Sequence, residues 1–120
     1  MLHLSASCNY YLCRQPTEMR RGFDSLSGLI ITELQMNLLC GAVFIFINKK
    51  RNQVKLLLWD ADGLSMYYKR LEKGTYELPV YTDENSKVQM SAQELQLILQ
   101  GISLKSIRKR KRYQHLAKSC

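Results

Sequence analysis

The sequence predicts an α+β fold: an antiparallel meander sheet of about four to five strands, two packed helices and a basic C-terminal tail. Three observations carry that reading. Ala42 to Ile47 is an unbroken β-branched and aromatic run, the mark of a strand buried on both faces or on most of both. Phe23, Leu26, Ile30 and Leu34 recur at helical spacing, with Leu29 and Ile31 widening the stripe. Ser91-Ala92-Gln93-Glu94 matches a capping box, in which the serine caps the glutamate's amide and the glutamate reaches back.

The remaining elements follow in order. Asn9 to Cys13 is a short β-prone run ended by Gln15-Pro16. Thr17 reads as the cap of the first helix, with Glu18 favourable in its first turn. Gly22 and Gly28 weaken that helix without overturning it. After Ile47 comes a polar turn from Asn48 to Gln53, then a second strand from Val54 to Trp59. Asp60-Ala61-Asp62-Gly63 is the next turn, with Gly63 expected to supply the positive φ. Leu64 to Leu71 continues the meander. Glu72-Lys73-Gly74 turns it again into Thr75 to Leu78, which stops at Pro79. Asp83 to Ser86 is a loop, and Lys87 to Met90 an edge strand. In the second helix Leu95, Ile98 and Leu99 face one way, and Gly101 is placed to end it. The Phe23–Leu34 helix is expected on one face of the sheet and the Ser91–Gln100 helix at an end of the core, with Trp59 inside that core.

A length of 120 residues with 46% apolar content suits one domain with one modest core. The formal charge is +8, and its distribution is lopsided. From Leu104 to Cys120 there are seven basic residues and no acidic one, so residues 1–103 are close to neutral. This predicts a compact domain over 1–103 and a flexible cationic arm over 104–120. Cys8, Cys13, Cys40 and Cys120 form no Cys-x-x-Cys pair, and the histidines are only His3 and His115, so neither a zinc site nor any other metal or cofactor is expected. No signal peptide is evident, and the longest apolar run, broken by Gly41, is too short to span a membrane. The expectation is a reduced, cytoplasmic protein with no membrane partner and no small-molecule substrate.

Asp60 and Asp62 invite a magnesium or nuclease reading, but their place in a turn favours hairpin chemistry. No histidine is placed to activate a serine or cysteine, and no glycine-rich phosphate loop occurs, so no enzyme is expected. Basic residues remain as the candidate site. Lys49, Lys50 and Arg51 crowd one turn, Arg20 and Arg21 lie near a helix start, and Lys55, Lys69 and Arg70 lie on strands. Such cations on one face bind DNA phosphates without reading sequence; scattered, they merely solubilise or guard a sheet edge. Arg108, Lys109, Arg110, Lys111 and Arg112 form a run that repels itself until a polyanion neutralises it, with Tyr113 beside it.

Several segments resemble one known family. Glu18-Met19-Arg20-Arg21-Gly22-Phe23-Asp24-Ser25-Leu26 resembles the D-M-R-K-G-F-D-G-L stretch of the TnpB accessory proteins of IS-sixty-six insertion sequences, with Glu18 in place of Asp and Ser25 in place of Gly. Gly41 to Phe46 followed by Asn48 to Arg51, Lys55 to Gly63, and Lys69 to Tyr76 with Pro79 are similar to the next three blocks of that family. Leu95, Leu99 and Gly101 fit its closing helix. The resemblance covers roughly 11–102 and leaves the basic tail outside. It concerns the insertion-sequence protein and not the RNA-guided nuclease that shares the label. It implies a non-catalytic accessory role in transposition beside a separate DDE transposase, a possible protein partner, and transfers no catalytic residues.

Overall fold

The apolar run at the centre of the chain becomes the middle of a five-stranded sheet. In the computed structural model, which describes residues 4–80 and 85–101, that strand is β2 (Val43–Ile47), and all five of its side chains are buried. Alternation sends Val43, Ile45 and Ile47 into one core layer and Phe44 and Phe46 into the other. The other strands are β1 (Tyr10–Cys13), β3 (Gln53–Asp60), β4 (Gly63–Arg70) and β5 (Lys87–Met90), and the spatial order is β4-β3-β2-β1-β5.

β2, β3 and β4 form the expected antiparallel meander. The sheet as a whole is mixed, because β1 lies parallel to β2, with Tyr10 opposite Val43 and Leu12 opposite Ile45. The cause is the helix α1 (Phe23–Thr32) between them. A helical crossover carries the chain back to the end where β1 began, so β2 re-enters in the same direction. β5 then pairs antiparallel with the free side of β1, as the edge strand expected there.

One helix covers each face. Leu26, Ile30 and Leu34 from α1 and the residues after it pack with Phe44, Phe46 and Leu57, while Tyr11 stacks on Phe44 with ring centroids 6.2 Å apart. Burying Phe44 and Phe46 completely contributes roughly 1.5–3 kcal/mol each. The second helix, α2 (Ala92–Leu99), does not close an end of the core as expected: Leu95 and Ile98 pack on the opposite face, against Leu12, Ile45, Leu56 and Met90. The chain passes straight from Met90 into the cap at Ser91, so the helix folds back over its own strand. The capping box is formed, with Ser91 Oγ accepting from the Glu94 amide at 3.1 Å, and Gly101 at φ +76° follows the helix.

Three local expectations are corrected. Thr17 does not cap α1, whose N-cap is Gly22. Thr17 is buried, and its amide donates to the Ile47 carbonyl at 2.9 Å, which docks the preceding loop on the end of β2. Thr75 to Leu78 form no strand. That segment is anchored instead by buried Tyr76, whose amide donates to the Arg51 carbonyl at 2.6 Å. Trp59 is only half-buried, because β3 is longer than β2: their pairing ends at Val43 opposite Leu58, and Trp59 extends past β2 with Leu64 of β4 as its partner.

The far end of α1 is satisfied from another element. Lys87 Nζ donates to the Leu34 carbonyl at 2.7 Å and Ser86 Oγ to the Glu33 carbonyl at 2.9 Å. A cation at this end also complements the helix dipole.

Candidate nucleic-acid interface

A groove of about 580 Å³ opens between the loop 16–20 and the turn joining β2 to β3. Arg20 stands on one wall and Lys49 and Lys50 on the other, with Gln53 at the base of the second wall.

Each wall has its own fastening. The loop is held by Lys55, whose Nζ donates to the Met19 carbonyl at 2.6 Å and the Arg21 carbonyl at 2.8 Å. The turn is held by Asn48. Its Oδ1 accepts from the amides of Asn52 at 3.0 Å and Gln53 at 2.9 Å, and its Nδ2 donates to Asn52 Oδ1 at 2.7 Å. Both walls therefore rest on buried or half-buried polar contacts, while the cations at their rims stay in solvent.

The basic residues picked out by sequence separate into distinct groups. Arg20, Lys49 and Lys50 share the groove, where Arg20 also pairs with the exposed carboxylate of Glu18. An ion pair this exposed contributes little and leaves the arginine available to a stronger anion. Arg21 is turned aside and donates to Ser25 Oγ at 2.8 Å. Arg51 adopts φ +58°, and it lines a second cavity of about 250 Å³ with Arg14, Leu78 and Val80. Lys55 is buried at 7% exposure, and its ammonium is occupied by two carbonyls, so it supports the groove from below and presents no charge to a ligand.

Lys69 and Arg70, both exposed, point to opposite faces of β4. Arg70 lies opposite Gln53 and so shares the groove's face of the sheet. Lys69 lies opposite Val54, a residue of the other core layer, and so stands on the far side. The run Arg108, Lys109, Arg110, Lys111 and Arg112 lies outside the described residues.

Three participants carry no mark of their role in the sequence. Asn48 reads there only as part of a polar turn, Gln53 as its end, and Tyr68 as one aromatic among several. Tyr68 is 51% exposed and stands on the groove's side of β4, opposite Lys55. Its hydroxyl donates to Gln53 Oε1, and the Lys55 ammonium sits 4.8 Å from its ring centroid. The alternation of β4 is a partial signal for it, but only the register shows which neighbours it meets.

Asp60 and Asp62 are both exposed and belong to a tight turn in which the Asp62 amide donates to the Asp60 carbonyl at 2.6 Å. The positive φ falls on Ala61 at +54°, not on Gly63, which is the first residue of β4. No group of three or more metal-ligating side chains occurs among the described residues. Cys13 is buried, and burial pushes its thiol pKa up, away from a reactive thiolate. No helix among the described residues is long and apolar enough to cross a membrane.

A family model described as IS66 Orf2 like protein matches residues 8–109, and the chain belongs to that family of insertion-sequence accessory proteins. Uncharacterized protein y4jC of Sinorhizobium fredii (strain NBRC 101917 / NGR234) is 26% identical over 110 residues, covering 92% of each chain. Uncharacterized protein y4hO of the same strain is 28% identical over 102 residues, covering 85% of this chain and 87% of its own length. No solved structure matches.

Proposed function

We propose that this accessory protein binds DNA by its phosphates and serves transposition without catalysing it. The observation that carries the reading is the groove: folding brings Arg20 beside Lys49 and Lys50, from segments far apart in the chain. Arg70 adds a further cation on the same face. Such contacts fix DNA without reading sequence, and each one releases counterions on binding. The run from Arg108 to Arg112 adds five cations to the charge of the chain.

The test is a salt titration of the full chain against the Arg20→Ala, Lys49→Ala, Lys50→Ala triple variant. The parent should lose affinity steeply between ~50 and 200 mM salt, and the variant should show a shallower slope, by about one for each phosphate it no longer neutralises. An unchanged slope in the variant, or no binding even at ~50 mM salt, overturns the proposal.

A second reading makes the protein an adaptor for the element's DDE transposase. It is favoured by the apolar side chains that α1 leaves in solvent, Phe23 at 44% and Ile31 at 58% exposure. Co-purification of the transposase that is abolished in Ile31→Asp, with DNA binding absent throughout, would support the adaptor instead.

A further inference from the structure

The cation groove has an aromatic ring at its side, and the arrangement of that ring is specific. Tyr68 is 51% exposed and stands on its face of β4 between half-buried Met66 and exposed Arg70. It is tied at two points: its hydroxyl donates to Gln53, which lines the groove, and the Lys55 ammonium lies over one face of the ring, which leaves the other face for stacking. Lys55 is in turn locked to the carbonyl of Met19, another groove residue. The ring is thus connected to both walls of the groove and pre-oriented, so little side-chain freedom is lost when something stacks on it.

The shape of the site selects among forms of DNA. Reading a duplex from its grooves requires a helix or ribbon that projects into them. A concavity of about 580 Å³ receives instead of inserting, and it falls in the range of roughly 300–1,000 Å³ typical of sites for small ligands. Phosphate-binding cations beside an exposed, fixed aromatic ring are the combination that holds unpaired nucleotides, because every base has a face to stack and the backbone runs alongside. In duplex DNA those faces are occupied by neighbouring bases.

We infer that the groove takes single-stranded DNA, with Arg20, Lys49 and Lys50 on the phosphates and the Tyr68 ring under a base. The inference rests on the phosphate-binding reading above and adds the form of DNA to it. Gln53 and Lys55 are positioning residues in this scheme. They hold the ring in place.

The experiment is fluorescence anisotropy of the full chain with a labelled oligothymidylate, a duplex of equal length and an oligouridylate, at ~50 mM salt. The oligothymidylate should bind most tightly. Tyr68→Leu should weaken it by about five- to a hundredfold, the range for loss of one stacked base, while leaving duplex affinity and the salt slope unchanged. Tyr68→Phe, which keeps the ring, should retain most of the affinity. Thermal melting of both variants establishes that they fold. Equal or tighter binding of the duplex, or parental affinity in Tyr68→Leu, overturns the single-strand inference and leaves the groove reading standing. Tighter binding of the oligouridylate overturns the assignment to DNA. Absence of binding to all three oligonucleotides removes the groove reading itself, and this inference with it.

Discussion

The two turns that bound β3 reverse the chain in opposite ways. At the Asn48–Gln53 end, one side chain supplies three hydrogen bonds, the Arg51 amide returns to the Asn48 carbonyl at 3.0 Å, and the distant Leu71 and Tyr76 amides dock on the carbonyls of Asn52 and Arg51. At the Asp60–Gly63 end, the turn is held by its own backbone, and neither aspartate side chain bonds to anything among the described residues. Yet both turns force a non-glycine residue into left-handed backbone, Arg51 at φ +58° and Ala61 at +54°. The difference is in what surrounds the strained residue. A turn fastened from several sides can hold Lys49 and Lys50 in a fixed place; a turn fastened only to itself does no more than connect two strands.

The largest break in that contrast is Asn48→Ala. It strips the acceptor from two half-buried amides at once, and an amide left without a partner costs about 1–3 kcal/mol. The expected destabilisation is ~2 kcal/mol, read as a lower urea midpoint at unchanged slope, together with weaker DNA binding as the groove wall shifts. A midpoint equal to the parent's would show that the turn is held by its backbone alone, like its counterpart.

The opposite change is expected at the other turn. Left-handed backbone costs an L-residue roughly 1–2 kcal/mol, part of which glycine returns as unfolded-state entropy. Ala61→Gly should therefore stabilise the protein by about 0.5–1 kcal/mol, with DNA affinity unchanged. A destabilised variant would mean that the Ala61 methyl group makes contacts worth more than the strain.

These turns also show where the sequence can and cannot be read. β2 is legible because burial on both faces demands a continuous apolar run, and the α2 cap because both of its bonds are local. The parallel pairing of β1 is not, since partner choice depends on where α1 returns the chain. Lys55 carries a usable sign: it alternates with Leu57 and stands in the middle of an apolar strand, a position that a lysine occupies only if its ammonium is paired. The groove has no linear signature. Arg20 is near Lys49 because Thr17 docks on Ile47 and Lys55 clamps Met19, and none of those contacts lies within one segment. Arg51 leaves the Lys49–Lys50 group for a reason that spacing cannot express, the sign of one φ angle.

The smallest expected effect tests whether charge acts locally in this molecule. β3 has eight residues, so at ~3.3 Å per residue the acidic turn lies roughly 23 Å from the basic one. That is more than two Debye lengths at physiological salt, each about 8 Å. Neutralising the far pair with Asp60→Asn and Asp62→Asn should accordingly change DNA affinity by less than about twofold and stability by less than about 0.5 kcal/mol, and magnesium should alter neither. Glu18 carries the same charge inside the groove, where it competes for Arg20. Removing it with Glu18→Gln should tighten binding several-fold at low salt, with the gain fading as salt rises. Comparable effects from the two substitutions, measured side by side across a salt series, would mean that the protein's overall charge governs binding and that the groove has no privileged place in it.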